Sequence, residues 1–554
     1  MSLGAVFDRE LATAPRSQGL FIARAIYAGT LLAIVATCWL VVTGSQPLAT
    51  AGDTARFAAT LFRILAPLQF TLAILAAALT SAVAVSIEKE RRTLELLLVS
   101  RLGDGSLVVG KLAGSMLKVA LLLVAAIPIF ALASLFGGIS TAQIARLFAV
   151  TAAAALAVAS IAGAVAFWKD TTFQALAITG FVLVGWLAIG EAVALGWGPD
   201  AAAVVSPARG LMAALAPTGG RFLPGLFAVC GGVIAVANGM AVANVRRWNT
   251  ASEIRRPTTP FPIPRRVRTV WANPVLWREV CTRAHGRAII VVRIAWLVLF
   301  AAAVAGVVVQ ARAVRPDRLA IAAAVVPMVL ASLLAVAALA VTSITTERDL
   351  GAFDLLLVSD LEPGELVWGK LLGVLAAARE IVVLPLLLCG ALVATGVTTL
   401  ENGLYLVLGL AVLTFFTAVL GVYAGLSHPA SRQAIGVALG TVAFLCVGVA
   451  TAMRIMVAFG GSFELQLAPF LAVIVGGGVG LYAALAARNP SPAIGWAAAL
   501  LPALTFTGIA GFLQGNTLQV FLVVLAAYGF ATLAMLVPAI AAFDLLTGRA
   551  TSGE

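Results

Sequence analysis

EKERRTLELLLVSRLGDGSLVVGKLAG (residues 88–114) returns 259 positions later as ERDLGAFDLLLVSDLEPGELVWGKLLG (347–373), with 14 of the 27 residues identical. The shared set includes Glu88 with Glu347, the run LLLVS, Gly105 with Gly364, and Gly110-Lys111 with Gly369-Lys370. Each copy contains G-x-x-x-x-G-K, the spacing of a phosphate-binding loop. Such a loop needs a Ser or Thr after the lysine to hold magnesium, small residues whose backbone wraps the phosphates, and a parallel sheet behind it. Here Leu112 and Leu371 follow the lysines, and the loop interiors read SLVV and ELVW. The motif therefore predicts no nucleotide site, and the chain is expected to have no catalytic residue, no bound cofactor and no enzymatic activity of its own.

The surroundings point to a different job. The chain has 554 residues, 62% hydrophobic and 11% charged, where a soluble domain carries about a quarter charged residues. Long apolar blocks run almost from end to end, and a bilayer span needs about 20 mostly apolar residues. About fourteen spans are predicted, near 22–43, 57–86, 111–137, 143–168, 173–197, 222–244, 288–310, 318–345, 370–398, 402–427, 433–459, 467–487, 493–514 and 518–543. In that setting RRTLELLLVS reads as a helix lying on the membrane surface. Leu94, Leu97 and Leu98 share its apolar face, while Arg91, Arg92 and Glu95 meet water. Gly103-Asp104-Gly105 and Glu362-Pro363-Gly364 then turn the chain, and Lys111 and Lys370 stand at the next span, placed to snorkel to the headgroups.

The net charge of +12 follows membrane topology and gives no reason to expect nucleic acid. An N-terminus placed in the cytoplasm brings EKERR (88–92), Lys169, the basic stretch 246–268, Arg432, Arg488 and Arg549 to that side, as the positive-inside rule requires. Both termini are then cytoplasmic and lipid surrounds the spans. The run after the polar first 19 residues is too long for a signal-peptide core. Five cysteines stand singly, and His285 and His428 lie in separate loops without a ligand cluster, so no metal site is predicted.

A second match lays RELATAPRSQGLFIAR (9–24) on REVCTRAHGRAIIVVR (278–293) at an offset of 269. Each half starts with an Arg-Glu segment, crosses twice and presents the same motif, so the repeats are parallel. The predicted architecture is an all-α polytopic integral membrane protein made of two six-helix units and an extra C-terminal hairpin. Its parts are a first unit at 1–245 with motif 88–111, a basic Pro-rich linker at 246–272, a second unit at 273–490 with motif 347–370, and the hairpin and tail at 491–554.

An acidic residue, an LLL-like run, a turn, and G-K at the head of the third span resemble the ABC-2 type permeases, the membrane subunits of one class of ABC exporter. NPVLWRE (273–279) is similar to the N-terminal amphipathic helix of such permeases. The resemblance implies that the helix between spans two and three of each half is a coupling helix, docking on a separate cytoplasmic ABC ATPase present in two copies. ATP would then act through the partner. The coupling residues it implies are Glu88, Lys89, Glu90, Arg91, Arg92, Glu95, Gly105 and Lys111, with Glu347, Arg348, Asp349, Asp354, Gly364 and Lys370 in the second copy. It also implies a bacterial inner (plasma) membrane, and short helices on the outer side from the Pro-broken stretch 197–222. Fusion of two units in one chain, and replacement of Arg91 and Arg92 by Leu350 and Gly351, depart from the family pattern. Charged residues inside spans mark a possible translocation path at Lys118, Glu191, Arg379, Glu380 and Arg454. The competing reading is an ion-gradient-driven secondary transporter with parallel repeats.

Overall fold

The computed structural model describes residues 5–13, 17–45, 50–90, 92–169, 172–216, 220–249, 270–281, 288–312, 318–349, 351–459, 463–489 and 491–547. Among these residues every regular element is a helix. That follows from the bilayer, where a lone segment can satisfy its backbone polar groups only by coiling on itself. Two compact units result, Met1–Ile263 with Arg454–Pro469, and Pro264–Met453 with Phe470–Glu554.

The helices of the first half are α1 (Ala5–Thr13), α2 (Gln18–Ser45), α3 (Ala51–Glu90), α4 (Thr93–Val99), α5 (Asp104–Leu135), α6 (Thr141–Trp168), α7 (Thr172–Trp197), α8 (Pro199–Val205), α9 (Pro207–Leu215) and α10 (Leu223–Trp248). Those of the second half are α11 (Pro274–Cys281), α12 (Ala288–Ala311), α13 (Arg318–Asp349), α14 (Ala352–Val358), α15 (Pro363–Ala377), α16 (Arg379–Ala394), α17 (Leu400–Ser427), α18 (Ser431–Phe459), α19 (Phe463–Leu485), α20 (Ala493–Leu513), α21 (Thr517–Ala541) and α22 (Phe543–Thr547). The 259-residue offset carries α4 onto α14, α5 onto α15 plus α16, and α6 onto α17, residue for residue at both ends.

The same offset relates the local chemistry. Ser140 caps α6 in a capping box with Gln143, and Thr399, its counterpart, caps α17 by accepting from the Asn402 N–H. In each half the second span packs on the fourth, α3 on α6 and α13 on α17. Small residues set that approach. Ala162 and Ala166 are fully buried in the first half. Their counterparts are Gly421 and Gly425, where an added Cβ would lie 2.5 Å from the Ala337 carbonyl oxygen and 2.9 Å from the Ile344 Cβ. The last span of each half covers the same surface, since α10 packs on α5 and α6, and α21 on α15 and α17.

The third span differs. α5 runs unbroken, whereas α15 and α16 bend by 63° at Ala378. Pro385 in α16 leaves the Ile381 carbonyl without its usual donor four residues on. The Ser332 hydroxyl on α13 fills that place at 2.6 Å.

Eleven described helices are long and apolar enough to cross a bilayer, or twelve with the bent pair counted as one, against the fourteen expected. Two expected spans, near 288–310 and 467–487, fall on α12 and α19, within which Trp296–Ala311 and Phe470–Leu485 are apolar helix among the described residues. The stretch 197–222 forms the short helices α8 and α9, each opened by a proline. The expected linker 246–272 lies mostly outside the described residues.

Candidate functional site

α3 ends in Glu88-Lys89-Glu90, and Arg92 takes up a left-handed conformation with φ 55° that reverses the chain into α4. Gly351 does the same before α14 with φ 68°. Only glycine adopts that region without steric cost, so the change from Arg92 to Gly351 preserves the backbone path. Gly103 and Glu362 then start α5 and α15 from extended N-cap positions. Acidic residues stand in both first turns, Asp104 in α5 and Glu365 in α15, where the helix dipole favours them. Glu362 and Glu365 form a capping box, with Pro363 at the first helical position. Gly105 and Gly364 therefore lie within a first helical turn, where the sequence had suggested a turn of the loop.

The reversal brings the acid at the end of one span against the lysine at the head of the next. Lys111 Nζ donates to Glu88 Oε1 at 2.7 Å, with the lysine 6% exposed. The Thr93 hydroxyl donates to the other oxygen of the same carboxylate. In the second copy Lys370, 1% exposed, donates to Glu347 Oε1 at 2.7 Å and to Glu279 Oε1 at 2.6 Å. The Arg278 guanidinium joins Glu347 as well. The expectation that these lysines snorkel to headgroups is therefore corrected. A carboxylate within reach makes a buried ion pair available, and the side chain turns inward to it.

The cation next to each acid has a separate task. Lys89 donates to the carbonyls of Phe167 and Lys169 at 2.6 and 2.9 Å. Arg348 donates to the carbonyls of Leu426 and His428, the positions 259 residues further on. Each cation thus caps the C-terminal end of the fourth span, where helix carbonyls lack partners.

The N-terminal helices complete the arrangement. α1 packs on α5 and α11 on α15. A Cβ at Gly114 would lie 2.8 Å from Glu10 Cγ, and one at the equivalent Gly373 would lie 2.7 Å from Glu279 Cβ. Glycine is what lets each helix come this close. Glu10 bridges to Lys118 at 3.4 Å. Burial disfavours the ionised form of Glu279, but Lys370 and Arg278 outweigh it and hold the carboxyl below its usual range. Sequence reading found the repeated Arg-Glu pairs at 9–10 and 278–279 without assigning them to the site.

The short helices present the same outward surface. Leu94 and Phe353 are buried at 3%, and Leu97, Leu98, Leu356 and Leu357 pack partly against their cores. Leu96 and Val99 are 70% and 88% exposed, and Leu355 and Val358 are 75% and 86% exposed. The expected apolar face is thus turned to the protein, and a second apolar pair that the pattern did not single out faces outward. Arg92, Glu95 and Asp354 are exposed beside these pairs, and Asp349 accepts from the Ser431 hydroxyl at 2.5 Å. Arg91 and the Glu90 side chain lie outside the described residues.

The five expected path residues are held by local partners or stand at the surface. Lys118 meets Glu10 of α1, and Glu191 of α7 pairs with Arg209 of α9. Glu380 accepts from Arg379 at 3.0 Å and forms an ion pair with Arg293 at 3.2 Å, at the bend between α15 and α16. Arg454 is exposed near the end of α18.

Residues 46–255 match the protein family described as ABC-2 family transporter protein. The match contains the whole first copy of the repeated motif and stops before the second. Residues 46–255 are thus similar to an ABC-2 transporter domain, and the second half is tied to them by the internal repeat. No curated protein and no solved structure matches.

Proposed function

We propose that this chain, a polytopic membrane protein whose residues 46–255 are similar to an ABC-2 transporter domain, is the complete membrane-spanning permease of an ATP-driven exporter. On this reading α4 and α14 are its two coupling helices, and each half supplies one of the two permease units that other members contribute as separate chains. A separate ATPase in the cytoplasm hydrolyses the nucleotide. The chain lies in a plasma membrane with both termini on the ATPase side and has no enzymatic activity or cofactor of its own. The course of Gly105–Lys111 within α5 supports this last point, since from Leu107 on its amides are engaged in helical bonding and its lysine is engaged by Glu88.

The single observation that carries the proposal is the outward pair Leu96 and Val99 recurring as Leu355 and Val358. Large apolar side chains so exposed, on helices fixed to two spans by a buried ion pair, suit a rigid contact for a moving partner. Closure of the ATPase would push on α4, and the Glu88–Lys111 and Glu347–Lys370 pairs would pass the displacement to the second and third spans together. The buried ion pairs are then positioning elements and the exposed residues the contacts.

The double variant Leu96→Asp, Leu355→Asp tests this. The purified wild-type chain is expected to bring an ATPase subunit with it from its own membranes. The variant should lose it at least tenfold while its thermal unfolding is unchanged, because both positions are exposed. Undiminished copurification, or transport in vesicles that persists without ATPase and collapses with an ion gradient, would overturn the proposal.

A further inference from the structure

We infer that α4 and α14 receive two different ATPase chains, one with an acidic rim around its docking groove and one with a basic rim; this rests on the coupling role proposed above. The two helices offer the same apolar pair in the same frame, on the same reversed backbone. Their charges are opposite. Among the described residues around α4, the exposed Arg92, Arg101 and Arg246 stand against one exposed carboxylate, Glu95. Asp104, half-buried, is already engaged by Arg246 at 2.8 Å, and Arg246 also donates to the Leu98 carbonyl at 3.1 Å, which fixes it against the short helix.

Around α14 the exposed Asp354, Asp360 and Glu362 follow one another, and no Lys or Arg occurs between Asp349 and Gly369. Arg348 lies behind this surface, half-buried and spent on the carbonyls of His428 and Leu426, with the exposed Arg488 beside it. An acidic surface carrying two exposed apolar side chains is repelled by anionic lipid headgroups, so the occupant of α14 is a protein.

One groove cannot complement both surfaces. Opposite rim charges speed encounter and like charges oppose it, so a groove rimmed with acid suits α4 and is repelled at α14. Fusion of two units in one chain permits this difference, because two copies of a single-unit chain would carry identical docking helices. The ATPase acting on this permease is thus a pair of unlike subunits, each with its own half.

The test places a photo-crosslinking benzoylphenylalanine at position 96 or at position 355 of the full chain in its own membranes, and identifies each adduct by mass spectrometry. A nucleotide-binding chain is expected at both positions, and a different one at each. Asp354→Lys with Asp360→Lys should cut the adduct at 355 at least tenfold and leave that at 96. Arg92→Glu with Arg101→Glu should do the reverse. All four residues are exposed, and unchanged thermal unfolding confirms that the variants fold. The same ATPase chain at both positions, or adducts indifferent to the charge reversals, overturns this inference and leaves the coupling role standing. Absence of a nucleotide-binding chain from both positions overturns the two together.

Discussion

Lys111 meets one carboxylate and Lys370 meets two. The two lysines occupy the same place in the repeat, at the same depth in their helices, and both are buried. What separates them is a single position, seven residues further along. Position 118 of the first half is a lysine, and it draws Glu10 of α1 away to a partly exposed bridge at 3.4 Å. The equivalent position in the second half is Ala377. With no cation there, Glu279 of α11 reaches Lys370, and Arg278 closes on Glu347 beside it. The N-terminal helix of the second half is thereby built into the buried cluster. Its counterpart α1 is held by close packing on Gly114 and by a partly exposed bridge. Two copies of one motif thus differ in how firmly a neighbouring helix is tied to the coupling element.

The largest expected difference comes from removing the lysines. Lys370→Met leaves two carboxylates in a buried site with Arg278 as their remaining cation in the cluster, and breaking a buried pair in this way costs about 3–5 kcal/mol. Lys111→Met leaves one carboxylate, Glu88, which keeps the Thr93 hydroxyl and has Arg9 nearby. The second-half variant should therefore lower the unfolding temperature in detergent clearly more than the first-half one. An equal loss would mean that the extra carboxylate in the second cluster contributes nothing.

Much of this frame was legible in the sequence because it rests on identity at a fixed offset. Glu88 with Glu347, Gly105 with Gly364, and Gly110-Lys111 with Gly369-Lys370 marked the element, and the apolar blocks marked most spans. The ion pairs were not legible as such. A lysine at a span boundary has two places for its charge, the headgroups or a buried acid, and spacing along one helix does not say which acid another helix brings. Glu88 and Lys111 are 23 residues apart, and Glu279 and Lys370 are 91 apart. The outward pair Leu96 and Val99 was hidden for a related reason. In a run of consecutive apolar residues every helical face is apolar, so periodicity cannot tell the face that packs from the face that is exposed.

A smaller difference is expected at the glycines under the N-terminal helices. At Gly114 an added methyl would meet Glu10 Cγ at 2.8 Å, part of a side chain that can swing outward. At Gly373 it would meet Glu279 Cβ at 2.7 Å and Cγ at 2.9 Å, in a side chain held by Lys370. Gly373→Ala must displace the helix or break the cluster, a cost of about 1–3 kcal/mol for overpacking. Gly114→Ala should cost less, because Glu10 can move and its bridge to Lys118 is partly exposed. Thermal unfolding of the two single variants decides the matter. A larger loss from Gly114→Ala would show that α1 is the more firmly seated helix.

The smallest effect probes what the first copy has in place of extra charges. Thr93 donates to the Glu88 oxygen that Lys111 does not use, and the second copy has Ala352 at that position. Thr93→Ala should cost about 1 kcal/mol, the usual net value of one hydrogen bond. Its meaning depends on a double-mutant cycle with Lys111→Met. If the hydroxyl orients the carboxylate toward the lysine, the two losses are coupled by at least ~0.5 kcal/mol, because either change removes part of what the other relied on. If they add within error, Thr93 is a bystander. Coupling would mean that the two halves reach a fixed carboxylate by different means: a neighbouring hydroxyl where one cation is present, and an added guanidinium where two acids share a lysine.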